Sequence, residues 1–405
     1  MTQSNFKSKD DQPIPEGYKK TEVGIIPNDW QLECLGNIVN ITTGNKNTQD
    51  KISEGKYPFF VRSQKIERIN SFSFDGEGVL TAGDGVGTGK VFHYINGKFD
   101  FHQRVYLMHS FNQKVHGYYF YIYFSNNFYD RIMSMTAKSS VDSVRRDMIS
   151  NMKIVLPTLR EQQKIATALS GTDALISELE KLIEKKQAIK TATMQQLLTG
   201  KTRLPEFALR EDGTPKAYKE SELGQIPEDW EVDKIGNTLS ITTGSRNTQD
   251  KVNDGAYPFF VRSQNVERIN TYSFDGEGVL TAGDGVGTGK IFHYINGKCD
   301  IHQRVYLMSN FKQTLDGYYF YIFFSNYFYD RIMSMTAKSS VDSVRREMIA
   351  DMLIFLPSIN EQKKIAFVIK NLFEEIEVLN IKLNKLLKIK QGMMQELLTG
   401  KTRLV

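Results

Sequence analysis

Cysteine is scarce in this 405-residue chain. There are two, Cys34 and Cys299, too few for the disulfide framework of a small secreted domain. No Cys-x-x-Cys or His-Glu-x-x-His occurs, and the six histidines fall singly along the chain, so the usual zinc spacings are missing. The ten prolines include no Pro-Pro pair. That absence matters because Phe74-Asp75-Gly76-Glu77-Gly78 matches the F-x-G-x-G string of some methyltransferases, whose companion Asn/Asp-Pro-Pro-aromatic site is not here. The glycine-rich run from Gly83 to Lys90 fails as a phosphate loop. Asp84 stands where the first glycine is needed, and Val91 stands where Ser or Thr must follow the lysine. A glycine-rich hairpin fits better, its backbone able to approach a phosphate closely. No Ser-His-Asp spacing can be supported; His102-Gln103-Arg104 reads as a strand-end cluster. No run approaches 18 apolar residues, and the polar segment 1–17 lacks the apolar core of a signal peptide. The expectation is a cytoplasmic chain with no catalytic chemistry, metal or cofactor of its own.

What is present is repetition. YPFFVRSQ at 57–64 returns unchanged at 257–264, SFDGEGVLTAGDGVGTGK at 73–90 returns at 273–290, and FYDRIMSMTAKSSVDSVRR at 128–146 returns at 328–346. The offset is 200 throughout, too long a period for a solenoid, so the chain is a domain duplication. Cys34 is matched by Lys234, and Cys299 by Phe99, so the cysteines are not equivalent and read as free thiols. With 25 Phe and 19 Tyr each half can build a core. The net charge of +5 permits nucleic-acid binding without requiring it.

Each copy changes character partway. From about 30 to 157, short apolar runs alternate with turn signals, which predicts strands and hairpins, with a helix over GYYFYIYFSNNFYDRIM. From 158 to 199, Glu, Lys, Gln, Leu, Ile and Ala dominate, and Thr158-Leu159-Arg160-Glu161 after Pro157 is a capping-box start. Ser358 to Glu361 repeats it, and Gly200 and Gly400 occupy helix C′ positions. The helices carry a seven-residue seam: Ile165, Leu169, Ile176, Leu179 and Ile183 in one, Ile365, Ile369, Leu372, Ile376, Leu379, Leu383, Leu386, Met393 and Leu397 in the other. Thr172, Lys186, Lys190, Thr193 and Lys390 interrupt it. Such a seam buries itself only against another helix, most simply that of the other copy. A second stripe, Ala168, Leu175, Leu182 and Ile189, suggests further helices from partner proteins. Residues 201–227 are polar, with three prolines, and read as a linker. The domain expectation is thus a head over 1–157, a helix over 158–200, a linker and second head over 201–357, and a helix over 358–405.

LPTLREQQKIA at 156–166, LPSINEQKKIA at 356–366, the exits MQQLLTGKTRL and MQELLTGKTRL, and the linker ESELGQIPEDWE resemble motifs of type I restriction-modification specificity subunits. The likeness covers nearly the whole chain. It implies an α+β fold: two globular β-rich target-recognition domains separated by two long antiparallel coiled-coil helices, with pseudo-two-fold symmetry. It also implies double-stranded DNA as ligand, two methyltransferase subunits docked on the helices, and a motor-nuclease subunit joining for restriction. S-adenosylmethionine, ATP and magnesium would belong to those partners. A related system with modification and cleavage fused in one partner shares these motifs, and a coiled-coil protein-binding scaffold is a reading from another class.

Candidate base readers are polar residues of presumed loops, since amides suit adenine and Lys or Arg suit guanine. In the first copy they are Asn45, Lys46, Asn47 and Gln49; Arg62, Ser63, Gln64 and Arg68; Lys90; and Lys138, Arg145 and Arg146. In the second they are Ser245, Arg246, Asn247 and Gln249; Arg262, Ser263, Gln264 and Arg268; Lys290; and Lys338, Arg345 and Arg346. Part of the last group should bond within the protein, given Asp142 and Asp147 nearby. Near-identical heads related by a two-fold axis would read inverted repeats.

Overall fold

The computed structural model describes residues 14–135, 143–335 and 343–405. The chain forms two compact units, one from Met1–Glu180 with Lys382–Val405 and one from Lys181–Ile381. Each takes one head and half of each long helix.

In the first unit, β1 (Tyr18–Thr21) and β2 (Gly24–Pro27) form a hairpin, followed by β3 (Gln31–Cys34), β4 (Asn40–Thr43), β5 (Tyr57–Phe60), β6 (Glu67–Ile69), β7 (Phe74–Ala82), β8 (Phe92–Phe101) and β9 (Val105–His109). Helices α1 (Gly117–Ser134) and α2 (Arg146–Ser150), strand β10 (Lys153–Leu156) and helix α3 (Leu159–Leu198) complete the copy. Six strands make one sheet in the order β4-β9-β7-β8-β5-β6. Only the β5–β8 pair is parallel; β10 closes antiparallel on β3. The glycine-rich segment is the connection of the long β7–β8 hairpin, as its composition suggested. Helix α1 buries Tyr119, Phe120, Phe124, Phe128 and Ile132 in the main core with Trp30, Ile154 and Ile165.

The second copy repeats this order, with α4 (Pro205–Ala208) in the linker, α5 (Ile235–Thr238) in place of a 3-10 turn, then α6 (Gly317–Ser334), α7 (Arg346–Ala350) and α8 (Ile359–Leu397). Its sheet has the same six-stranded order. Cys299 fills the place of Phe99 in the small core beneath the sheet, and burial pushes its thiol up to about 12.

The long helices run antiparallel within both units. In the first, Lys390 pairs with Asp173 at 2.5 Å and Thr172 meets Met393. In the second, Lys186 pairs with Glu375 at 2.7 Å and Lys190 lies 4.4 Å from the Phe373 ring centre. Several polar positions that break the heptad pattern therefore meet a partner across the seam, which penalises a shifted register. Ile165, Leu169, Ile176 and Ile183 are buried, as are Ile365, Ile369, Ile376 and Leu397.

The expected capping boxes form only in part. The Thr158 hydroxyl accepts from the Glu161 N–H at 3.3 Å, and Ser358 caps Glu361 likewise. The glutamates turn away. Glu161 accepts from the Trp30 indole N–H at 3.1 Å and from Arg403 at 2.7 Å, while Arg403 also grips Asp29 at 2.7 Å. In the second unit Glu361 accepts from Trp230 at 3.0 Å and from Arg203 at 2.9 Å, with Asp229 as the further partner at 2.7 Å. A buried guanidinium and indole offer that carboxylate stronger bonds than its own helix terminus does. Each helix ends in the glycine this docking needs: Gly200 has φ +70, and a Cβ there would lie 2.6 Å from Pro227. Gly400 has φ +73 and faces Pro27 in the same way.

Candidate nucleic-acid interface

The loop after β4 is shaped by its own polar residues. Asn47 and Asp50 form a capping box on the turn Thr48–Asp50, and the Gln103 amide donates to Asn47 Oδ1 at 2.6 Å. The Gln103 N–H bonds the Lys46 carbonyl at 2.8 Å. Asn47 is therefore engaged in shaping the loop, and Asn45 and Gln49 are the exposed amides beside it. Asn247 and Gln303 repeat the arrangement, with Ser245 and Gln249 exposed.

Among the differences between the heads, one changes the bonding of a buried carboxylate. In the second, Arg246 Nε donates to Asp300 at 3.1 Å, and Asp300 is fully buried. Burial pushes the Asp300 carboxyl up, but hydrogen bonds from Thr271, Ser273 and Arg246 outweigh it and hold the pKa below the ordinary value. In the first head Asp100 is satisfied by Ser71 and Ser73, both at 2.7 Å, and the Lys46 ammonium is not drawn in. A lysine at this place keeps its charge for solvent or ligand.

A second cluster forms around Asp84, at the start of the glycine-rich connection. Arg62 Nη1 donates to one carboxylate oxygen at 2.7 Å, and Arg104 Nη1 donates to the other. Burial pushes the Asp84 carboxyl up, and the two guanidiniums more than reverse this, so its pKa is lowered. Each arginine uses one terminal nitrogen here, and both side chains stay exposed, 41% and 63%. Beside them lies a cleft of about 210 Å³ lined by Thr43, Gly83, Asp84, Gln103, Arg104, Tyr106, Ser143 and Val144. His102 supports the cluster from below: its Nδ1 accepts the Arg104 N–H at 3.0 Å. Burial and then the Arg62 charge lower its pKa, so it serves as a neutral prop. Asp284 with Arg262, Arg304 and His302 repeats every contact.

The other expected residues scatter. Arg68 donates from Nε and Nη2 to the Gly55 and Lys56 carbonyls at 2.9 and 2.8 Å, strapping a loop, and Arg268 does the same. The Ser63 and Ser263 hydroxyls close local turns, leaving Gln64 and Gln264 exposed. Lys90 and Lys290 sit 5.1 and 5.0 Å from the ring centres of Tyr129 and Tyr329. Arg145 pairs with Asp147 at 3.3 Å, as anticipated, while Arg146, Arg345 and Arg346 are exposed. Lys138, Asp142 and Lys338 lie outside the described residues. Gln103 and Arg104, at the centre of the arrangement, were not among the expected base readers. Among the described residues no cluster of His, Cys, Asp and Glu could hold a metal ion, and no helix is long and apolar enough to cross a membrane.

The fold defines a two-headed chain whose duplicate β-rich heads alternate with two long helices. The type I restriction modification DNA specificity domain matches twice, over residues 27–191 and 227–388. The chain belongs to this family: it is a type I restriction-modification specificity subunit with two recognition domains. It is 25% identical to the type I restriction enzyme MjaVIII specificity subunit of Methanocaldococcus jannaschii, over 96% of both chains. It is 23% identical to the EcoDI specificity subunit of Escherichia coli, over 93% of this chain and 88% of that one. The fold matches the crystal structure of the S subunit of a type I restriction-modification system from M. genitalium, with a TM-score of 0.69 and 14% identity over 91% of this chain and 96% of that one.

Proposed function

We propose that each head reads one half of a bipartite double-stranded DNA site, and that the chain contributes recognition while its partners contribute chemistry. The observation that carries this is the cluster in which Asp84 fixes Arg62 and Arg104 beside Gln103, repeated around Asp284. A carboxylate that holds two arginines by one nitrogen each pre-orients them and leaves their remaining donors for base edges or phosphates. Near-identical heads then read the same half-site on opposite strands.

The helices serve as spacer and docking rods for two methyltransferase subunits, with a motor-nuclease subunit joining for restriction. Leu175, Leu182 and Ile189 remain exposed on α3, and Phe367, Val378 and Ile381 on α8. Such apolar side chains on otherwise charged helices suit protein partners. S-adenosylmethionine, ATP and magnesium are assigned to those partners.

The direct test is DNA binding by the Arg104→Ala/Arg304→Ala double variant within the methyltransferase complex. A lost bidentate base contact costs about 1–3 kcal/mol, or roughly 5- to 150-fold in affinity per head. Specific affinity should fall accordingly, with non-specific affinity falling less. Unchanged specific binding would remove the cluster from the recognition surface.

A further inference from the structure

The apex of the glycine-rich connection carries a side chain that the fold does not use. Val86 is completely exposed, at 102%, and Val286 at 103%. A valine that touches nothing contributes no burial energy to the fold.

The tip is nevertheless firmly held. The Gly83 N–H donates to the Arg104 carbonyl at 2.8 Å, and the Val144 N–H donates to the Gly83 carbonyl at 2.7 Å. The Thr88 hydroxyl closes a turn on the Gly85 carbonyl at 2.6 Å. Gly89, with φ +68, packs so tightly that a Cβ would come 2.3 Å from Ile132. The valine is itself stiff about χ1. Two residues before it stands Asp84, with its pair of arginines. An apolar tip on a hydrogen-bonded loop, beside two guanidiniums, suits an anionic partner and would offer it two methyl groups.

We infer that Val86 and Val286 read the C5-methyl group of a pyrimidine, normally thymine, in the major groove of each half-site. That methyl is the one apolar feature on a base-pair edge, and small aliphatic side chains recognise it by contact. Arg62 and Arg104 anchor the neighbouring phosphate or guanine and so set the height of the tip. The assignment rests on the proposed DNA-reading role of the heads.

The test is a scan in which each thymine of the recognised site is replaced by deoxyuridine, which deletes only the methyl group. Binding is measured for the full chain in its methyltransferase complex, and for the Val86→Ser/Val286→Ser variant. Losing one buried methyl should weaken wild-type binding about 3- to 5-fold at one thymine per half-site. The double variant should bind more weakly than wild type and be insensitive to that same replacement. A wild-type complex that binds specifically but tolerates deoxyuridine everywhere overturns the methyl contact and leaves the recognition role intact. A variant as deoxyuridine-sensitive as wild type also overturns it. Absence of specific binding by the wild-type complex would instead overturn the reading on which it rests.

Discussion

Glu361→Ala is expected to destabilise the second unit by about 3–5 kcal/mol, the cost of breaking a buried ion pair, although Arg203 keeps Asp229 as a second partner. Glu361 is 1% exposed and Arg203 5%, and the pair also holds the Trp230 indole and Asp229. This anchor ties the end of α3 to the head that precedes α8. The first unit has the same anchor in Glu161 and Arg403, but Arg403 is 24% exposed. Water can solvate the broken pair more easily there, so Arg403→Ala should cost less than Arg203→Ala. Urea titrations followed by the fluorescence of Trp30 and Trp230, the two tryptophans of the chain, check both statements. A loss below about 1 kcal/mol for Glu361→Ala, the level of an exposed pair, would contradict the anchor. The hydrogen bond from Arg403 lowers the Asp29 pKa from its ordinary 3.8. A carboxyl depressed on folding contributes stability above its unfolded pKa, and that contribution fades as pH falls through the folded value. The C-terminal anchor should therefore loosen only below about pH 4.

The second large effect concerns half the chain. A fragment of residues 1–205 holds one head, one long helix and Arg203, and should form a stable dimer. Arg203 is the repeat partner of Arg403, so in such a dimer it meets Asp29, Trp30 and Glu161 of the other copy. The seam also survives: Lys190, the counterpart of Lys390, can reach Asp173 as Lys390 does in the full chain. Some contacts are lost: Lys186 would face Leu175 where it now meets Glu375, Thr172 would face Thr193 where it now meets Met393, and Lys190 exchanges the Phe373 ring for Asp173. Light scattering should give the mass of a dimer at micromolar concentration. Arg203→Ala removes two anchors per dimer and should weaken it about 100-fold or more. A fragment that stays monomeric, or a variant that dimerises as well as its parent, would contradict this account.

The long helices were legible because their signals are local: a cap after proline, a 4-3 apolar spacing, a C′ glycine. So was α1, whose aromatic run has helical spacing, and so was the β7–β8 hairpin. Glu161 was misread because its local role, the capping box, is outcompeted by Trp30 and Arg403, which lie 131 and 242 residues away in sequence. Arg104 was passed over for a related reason. Its meaning comes from Asp84 and Arg62, which reach it only through the folding of the sheet. The repeat offered no help, because it preserves His102, Gln103 and Arg104 along with structural neighbours such as Asp100. Lys46 and Arg246 are both among the candidate readers, but only the fold shows that Arg246 reaches a buried carboxylate, Asp300, while Lys46 does not reach its counterpart, Asp100.

That difference is where the equivalence of the heads is weakest, and one measurement bears on the whole account. Sequencing the methylated bases of a host that carries this system gives the recognised motif directly. Two heads built alike, each with the same arginine cluster and the same valine tip, predict an interrupted palindrome with one half-site repeated on opposite strands. Two unrelated half-sites would contradict it.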